Sequence, residues 1–310
     1  MADVALSNDP LWPRAGGWPA PETLDPEASA ALALLGVPAW RTSLSPTNAH
    51  TTPAAIRAAL RRYSPALVPS RQEGRDTVDL GELAVVDAGD IVEPDGPEGE
   101  ARTRARVAEL LERAETVMAL GGDNSLTVAT ALGAYGDRLA TAGLVTIDAH
   151  YDLRDGVSNG SPVRRLVEAG LDPRRIVQIG IADFANSAEY ARRAADLGIT
   201  VIHRDELHGR RPAEVMAEAL EIAGAAGGPV HLDIDVDACD RAVVPGCPAS
   251  MPGGLAAWEL RALVRAAAGD ARVVSADLAE VDASADAPDG RTVRLAALCV
   301  LDFLAGVAAR

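Results

Sequence analysis

The chain has 310 residues, 48% hydrophobic and 24% charged, the proportions of a globular protein and not of a disordered one. Its 45 acidic residues outweigh 29 basic ones, all of them arginine, and the net charge of −16 excludes nucleic acid and anionic membrane as electrostatic partners. Three cysteines make no disulfide framework and fit a reducing cytoplasm; no apolar run is long enough to span a bilayer, and MADVALSNDPLWPR lacks the basic start and apolar core of a signal peptide.

Residues 1–29, rich in proline, glycine and tryptophan, read as an irregular arm, which Trp12, Trp18 and Trp40 are expected to anchor. Residues 30–310 read as one domain. Eight apolar runs predict strands at Ala33–Val37, Leu83–Val86, Thr116–Leu120, Gly143–Ile147, Ile176–Ile181, Thr200–Ile202, Pro229–Ile234 and Val273–Asp277. Most are apolar on both faces, the mark of strands buried in a parallel sheet. Helical spacing falls between them, near 53–63, 101–114, 125–135, 160–169, 187–197, 211–225, 255–269 and 291–308. The alternation predicts a three-layer α/β/α fold around an eight-stranded, mostly parallel sheet. The polar stretches 64–80 and 88–100 read as surface loops.

Ligands of open α/β sheets bind beyond the carboxyl ends of the strands, and four such ends carry polar clusters. In Leu144-Val-Thr-Ile-Asp148-Ala-His150-Tyr-Asp152-Leu-Arg154, an extended backbone would point Asp148, His150 and Asp152 to one side, a donor set for a divalent cation. In Val230-His-Leu-Asp233-Ile-Asp235-Val-Asp237, three carboxylates share a face opposite Leu232, Ile234 and Val236. Such carboxylates repel one another and are hard to keep ionised without a cation. Met118-Ala-Leu-Gly121-Gly122-Asp123-Asn124-Ser125 is a strand running into a glycine turn and a helix that Ser125 could cap. Ala279-Glu280-Val-Asp282 follows the last strand. Among the other candidates, His231 lies deep in its strand and reads as a packed, hydrogen-bonded residue. Cys239 reads as buried filler, and His203 and His208 as solvated. His50 precedes a helix and is a candidate for the pocket mouth.

In this order and at these separations the four segments resemble the ureohydrolase family of arginases, agmatinases and formimidoylglutamases. Members carry Gly-Gly-Asp-His-Ser, Asp-Ala-His-x-Asp, Asp-x-Asp-x-x-Asp-Pro and a terminal Glu-Val pair. The resemblance runs from Leu34-Leu-Gly-Val-Pro38 to Asp286–Ala297. It implies two manganese ions activating water, held by Asp148, His150, Asp152, Asp235 and Asp237. It also implies that Glu280 grips an amidine or guanidine group, and that the protein is a homo-oligomer, trimer or hexamer. Asn124 stands where the family has a histidine ligand; an amide oxygen is a neutral, weaker donor, so the ion on that side is expected to be the weaker one. Asp152 is the candidate for carrying a proton to the leaving amine.

The loop Ser158-Asn159-Gly160-Ser161-Pro162, Asp152-Leu153-Arg154 and the segment Ile179–Ser187 resemble formimidoylglutamases most. Formimidoyl-glutamate carries two carboxylates, which a guanidinium pairs with in a two-pronged manner. Arg154 and Arg164 are the candidates, with Asn159 and Ser161 as further substrate-binding residues, although Arg154 could instead pair with Asp155 or Glu168. The leading reading is hydrolysis of N-formimidoyl-L-glutamate to L-glutamate and formamide. Two alternatives stay open: a guanidine hydrolase releasing urea, and a homologue that binds metal without turnover.

Overall fold

The computed structural model describes residues 9–25, 27–68 and 77–310. In chain order the elements are β1 (Leu32–Val37), α1 (Thr52–Leu60), β2 (Ala66–Leu67), β3 (Val78–Asp79), β4 (Val85–Asp90), α2 (Gly96–Leu111), β5 (Val117–Gly121), α3 (Leu126–Tyr135) and β6 (Gly143–Ile147). They continue with α4 (Pro162–Ala169), β7 (Ile176–Ile181), α5 (Ala188–Leu197), β8 (Thr200–His203), α6 (Pro212–Ala223), β9 (Val230–Asp235), α7 (Ala257–Ala268), β10 (Val273–Ala279) and α8 (Arg291–Val307). Eight strands form one sheet in the order β4-β1-β5-β10-β9-β6-β7-β8, every pair parallel.

Strand parity sorts the side chains between two faces. Leu32, Leu34, Met118, Leu120, Val145, Ile147, Leu232 and Ile234 pack with residues of α1, α6, α7 and α8. Ala33, Leu35, Val117 and Ala119 pack with α2 and α3. Leu144 and Ile176 pack with α4 and α5. This is the expected three-layer sandwich. Both faces of each central strand are buried, so the strands read as continuous apolar runs.

Two polar stretches depart from the loop reading. Residues 66–67 and 78–79 form a short antiparallel ladder within 64–80, of which 69–76 lie outside the described residues. The strand β4 extends to Asp90, and α2 starts at Gly96 with Pro97 in its first turn. Proline there lacks only an N–H that has no helical partner, so a polar Gly-Pro-Glu opening is a helix start. Of the arm, residues 1–8 and 26 are not described; the remainder is irregular apart from one 3-10 turn at Pro21–Thr23, and Trp18 packs on the core.

The strand order places the site. The four central strands are β5, β10, β9 and β6, and these are the strands whose carboxyl ends carry the polar clusters. The β5 turn is held closely. A Cβ at Gly122 would sit 2.0 Å from the Ala39 carbonyl oxygen, and the Gly122 carbonyl accepts the Glu280 N–H at 2.9 Å. Gly122→Ala is therefore expected to lower stability by about 1–3 kcal/mol through overpacking, measured as a lower urea midpoint at unchanged m-value.

Candidate metal centre and substrate pocket

At the carboxyl ends of the central strands lies a cavity of about 310 Å³ lined by His150, Asp152, Arg154, Asn159, Asp235, Asp237 and Glu280, among others. Asp148 lies beneath it, 1% exposed. The turns that bring these groups together are not the extended ladders that alternation suggests. The strand β6 ends at Ile147, and the Asp148 carboxylate accepts the His150 N–H at 2.6 Å. Asp152 then takes a left-handed backbone, φ 52°. Likewise β9 ends at Asp235, whose carboxylate accepts the Asp237 N–H at 2.8 Å and opens a 3-10 turn. Short aspartate side chains compete for local N–H groups, and here that competition breaks both strands. Asp237 nevertheless reaches the cluster, 2.8 Å from His150 Nδ1 and 3.1 Å from the Ala149 nitrogen.

The cluster is short of protein donors. Among the described residues, one oxygen of Asp148, both of Asp233 and one of Glu280 are buried without a hydrogen-bond partner. Burial, with the charge of Asp237, pushes Asp148 up to about 6. Burial and like-charged neighbours also raise Asp152, Asp233 and Asp235 well above the ordinary carboxylate range. Asp237 is the exception: burial opposes ionisation, but His150 holds its carboxyl low. The Asp237 charge in turn pushes His150 up to about 12. Crowded carboxylates with empty lone pairs are the chemistry of a hard-cation site with one imidazole donor. Among the described residues two ligand groupings emerge, Asp148, His150 and Asp237, and Asp148, Asp152 and Asp233, each with one donor atom per residue lying within 4.8 Å of the others; Asp235 is in neither.

Known proteins resemble this chain in sequence and in fold. The profile described as the arginase family matches residues 30–306. The chain belongs to the arginase family. It is 32% identical to the formimidoylglutamase of Halalkalibacterium halodurans over 282 residues, covering 88% of this chain and 86% of that protein. The crystal structure of formimidoylglutamase from Bacillus subtilis superposes with a TM-score of 0.86 at 28% identity, covering 99% of this chain and 95% of that one. A Trypanosoma cruzi formiminoglutamase solved with Mn2+ shares the fold, with a TM-score of 0.81 at 23% identity, covering 91% and 94%.

The substrate-binding candidates of this arginase-family chain divide cleanly. The Glu280 backbone is left-handed, φ 65°, and its Oε1 accepts from the Asn124 N–H and from Asn159 Nδ2, both at 2.8 Å. Its Oε2 is left without a donor, and burial pushes the group up to about 8, helped by Asp123. Two non-glycine residues in left-handed conformations at one site store about 1–3 kcal/mol each, a strain the surrounding bonds must hold. Asn159 also accepts the Leu44 N–H at 3.0 Å, tying the β1 side to this loop. Arg154 lines the cavity with its stem over Gly160, and among the described residues no ion pair or side-chain hydrogen bond engages its guanidinium. The alternative partners are taken: Asp155 by Arg193, and Glu168 by Arg164.

Three candidates stand outside the pocket. Arg164 is committed to Glu168 and to the carbonyls of Arg154 and Gly156, so it shapes the Arg154 loop. Ser161 is buried and bonds Ser158 on both sides, stapling the same loop. His50 packs on Trp40 with ring centroids 5.0 Å apart. As expected, His231 is a packed residue, bonded to Ser275 at 2.7 Å and Asp277 at 2.9 Å. Asp123, which no single motif singled out, accepts both the N–H and the hydroxyl of Ser125, so Ser125 makes no helix cap of its own.

Proposed function

We propose that the protein hydrolyses the linear amidine of N-formimidoyl-L-glutamate, giving L-glutamate and formamide. One observation carries this reading. Arg154 and Glu280 line one cavity beside the carboxylate cluster, and among the described residues the Arg154 guanidinium has no ion pair and Glu280 Oε2 no hydrogen-bond partner. A substrate cationic at its amidine and anionic at its other end matches both, whereas a cationic-tailed guanidine would meet Arg154 with like charge.

Asp148, His150, Asp152, Asp235 and Asp237 would hold two divalent cations, manganese by likeness to the relatives, with the ion on the Asn124 side the weaker. When bound, such ions supply a water nucleophile at neutral pH by lowering its pKa. The chain's own groups do the rest. Glu280 Oε2 accepts from the amidinium nitrogens while Asn124 N–H and Asn159 fix Oε1, which sets the carbon's position in the cavity. Arg154 pairs with a substrate carboxylate. Asp152, 5% exposed and lining the cavity, carries a proton to the leaving amine. The same reading takes the protein as a cytoplasmic homo-oligomer, trimer or hexamer. No helix among the described residues is long and apolar enough to cross a membrane.

The test is a panel of amidines and guanidines assayed with added Mn2+. Formamide release from formimidoyl-glutamate is the expected result; urea release from a guanidine, or no turnover with any substrate, overturns it. Arg154→Ala is expected to raise KM for formimidoyl-glutamate about 10- to 100-fold, the loss of one two-pronged ion pair, with kcat little changed. An unchanged KM removes Arg154 from the substrate site.

A further inference from the structure

Asn124 and Asp233 stand in an unexpected relation to the cation site. The Asn124 amide is fully engaged. Its Nδ2 donates to Asp152 Oδ2 at 2.7 Å, and its Oδ1 accepts from the Thr127 hydroxyl at 2.9 Å. As an ionised, ligating carboxylate Asp152 can only accept, which fits the amide nitrogen facing Asp152 and the amide oxygen facing Thr127. Asn124 thus orients Asp152 and turns its own only ligating atom away from the cluster.

Asp233 has the opposite character. It is fully buried on β9, one side-chain repeat before Asp235, and neither of its oxygens accepts from an N–H or hydroxyl among the described residues. The one side-chain hydrogen bond its cross-sheet neighbours offer is a proton shared with Asp277. On β10 it is in register with Asp277, whose Oδ2 is bound by His231, and on β6 with Thr146, whose hydroxyl also lacks a partner. One of its oxygens lies within 4.8 Å of one oxygen from each of Asp148 and Asp152. A fully buried carboxylate whose one side-chain partner is a second carboxyl, and which faces two more carboxylates, suits a direct cation ligand.

We propose that Asp233 is a direct ligand of the cation on the Asn124 side, completing a set with Asp148 and Asp152 in place of Asn124. The neighbouring ion keeps the other set, Asp148, His150 and Asp237. The exchange is chemically coherent. An anionic oxygen replaces a neutral donor, which favours a hard divalent cation and raises the charge that the centre neutralises. The inference rests on the cation-centre reading above, and its test separates the two.

The full-length protein is stripped with a chelator and titrated with Mn2+, reading stoichiometry by calorimetry and metal pairing by electron paramagnetic resonance. Wild type is expected to bind two ions and to give an exchange-coupled spectrum. Asp233→Ala is expected to bind one ion and to give the isolated six-line spectrum, with the second ion weakened more than about 100-fold, beyond the 10- to 100-fold typical of an outer-shell partner. Asp233→Asn keeps the shape without the charge and answers the question if the alanine variant fails to fold; it is expected to weaken the same ion at least tenfold. Two ions bound to Asp233→Ala with less than about 100-fold loss overturn the ligand assignment and leave the cation centre standing, with Asp233 as an outer partner or as the holder of a proton shared with Asp277. A wild type that binds no divalent ion overturns both.

Discussion

Glu280→Gln is expected to lower kcat/KM by about 10²–10³-fold while leaving Mn2+ content and fold intact, the scale of losing one preorganised charge-stabilising contact. The substitution is nearly isosteric, and a Gln oxygen at the Oε1 position still accepts from the Asn124 N–H and Asn159 Nδ2. The left-handed backbone at φ 65° is set by Gly122 and those two bonds, none of which needs the charge. What changes is the other atom. Oε2, free of protein donors, becomes an amide nitrogen, so an acceptor for the amidinium becomes a donor pointed at a donor. Because burial already pushes Glu280 up to about 8, removing its charge does not destabilise the fold. Thermal stability should therefore stay equal or rise while turnover falls. Metal content by atomic emission and kcat/KM on formimidoyl-glutamate check this together. A variant that keeps full turnover takes the amidine grip away from Glu280; one that loses metal makes Glu280 part of the cation site instead.

The sheet was legible because burial on both faces leaves a parallel strand no polar periodicity to hide behind. Gly143–Ile147 and Ile176–Ile181 match the structure residue for residue. The start of α2 was not legible, since its first turn is polar and holds glycine and proline, the composition of a loop. At the site the residue types were readable and their geometry was not. Alternation places Asp148, His150 and Asp152 on one side of an extended chain, whereas a side-chain-to-backbone bond and a left-handed Asp152 bring them together. The Asn159–Glu280 contact joins residues 121 apart in sequence, and nothing local announces it. Arg154 and Arg164 look alike in composition. What separates them is Glu168, one helical turn from Arg164 at i+4, a pairing that was available in the sequence.

Chelation should make stability fall as pH rises, the reverse of ordinary acid denaturation. In the metal-free chain Asp148 goes from an ordinary 3.8 up to about 6, and Glu280 from 4.5 up to about 8, with Asp152, Asp233 and Asp235 raised as well. A carboxyl raised on folding holds its proton longer when folded. Its stabilising contribution is complete below the unfolded value and is lost as pH climbs through the folded one. His150, raised from 6.5 to about 12, acts in the same sense above pH 6.5. Asp148 loses most of its contribution below pH 6, whereas Glu280, raised from 4.5 to about 8, spans the window from pH 5.5 to 8 at about 1.4 kcal/mol per pH unit. Carboxyls held low, such as Asp237 and Asp282, act oppositely, but only below the ordinary carboxylate range. The chelated protein is therefore expected to lose at least about 5 °C in Tm between pH 5.5 and 8. Saturating Mn2+ should raise Tm far more at pH 8 than at pH 5.5, because ions bind the deprotonated ligands and need not compete with protons there. Scanning calorimetry at the two pH values, with and without Mn2+, decides it. A chelated protein whose Tm is flat or rises with pH would mean that these carboxylates are not crowded together in solution, and the cation centre would go with them.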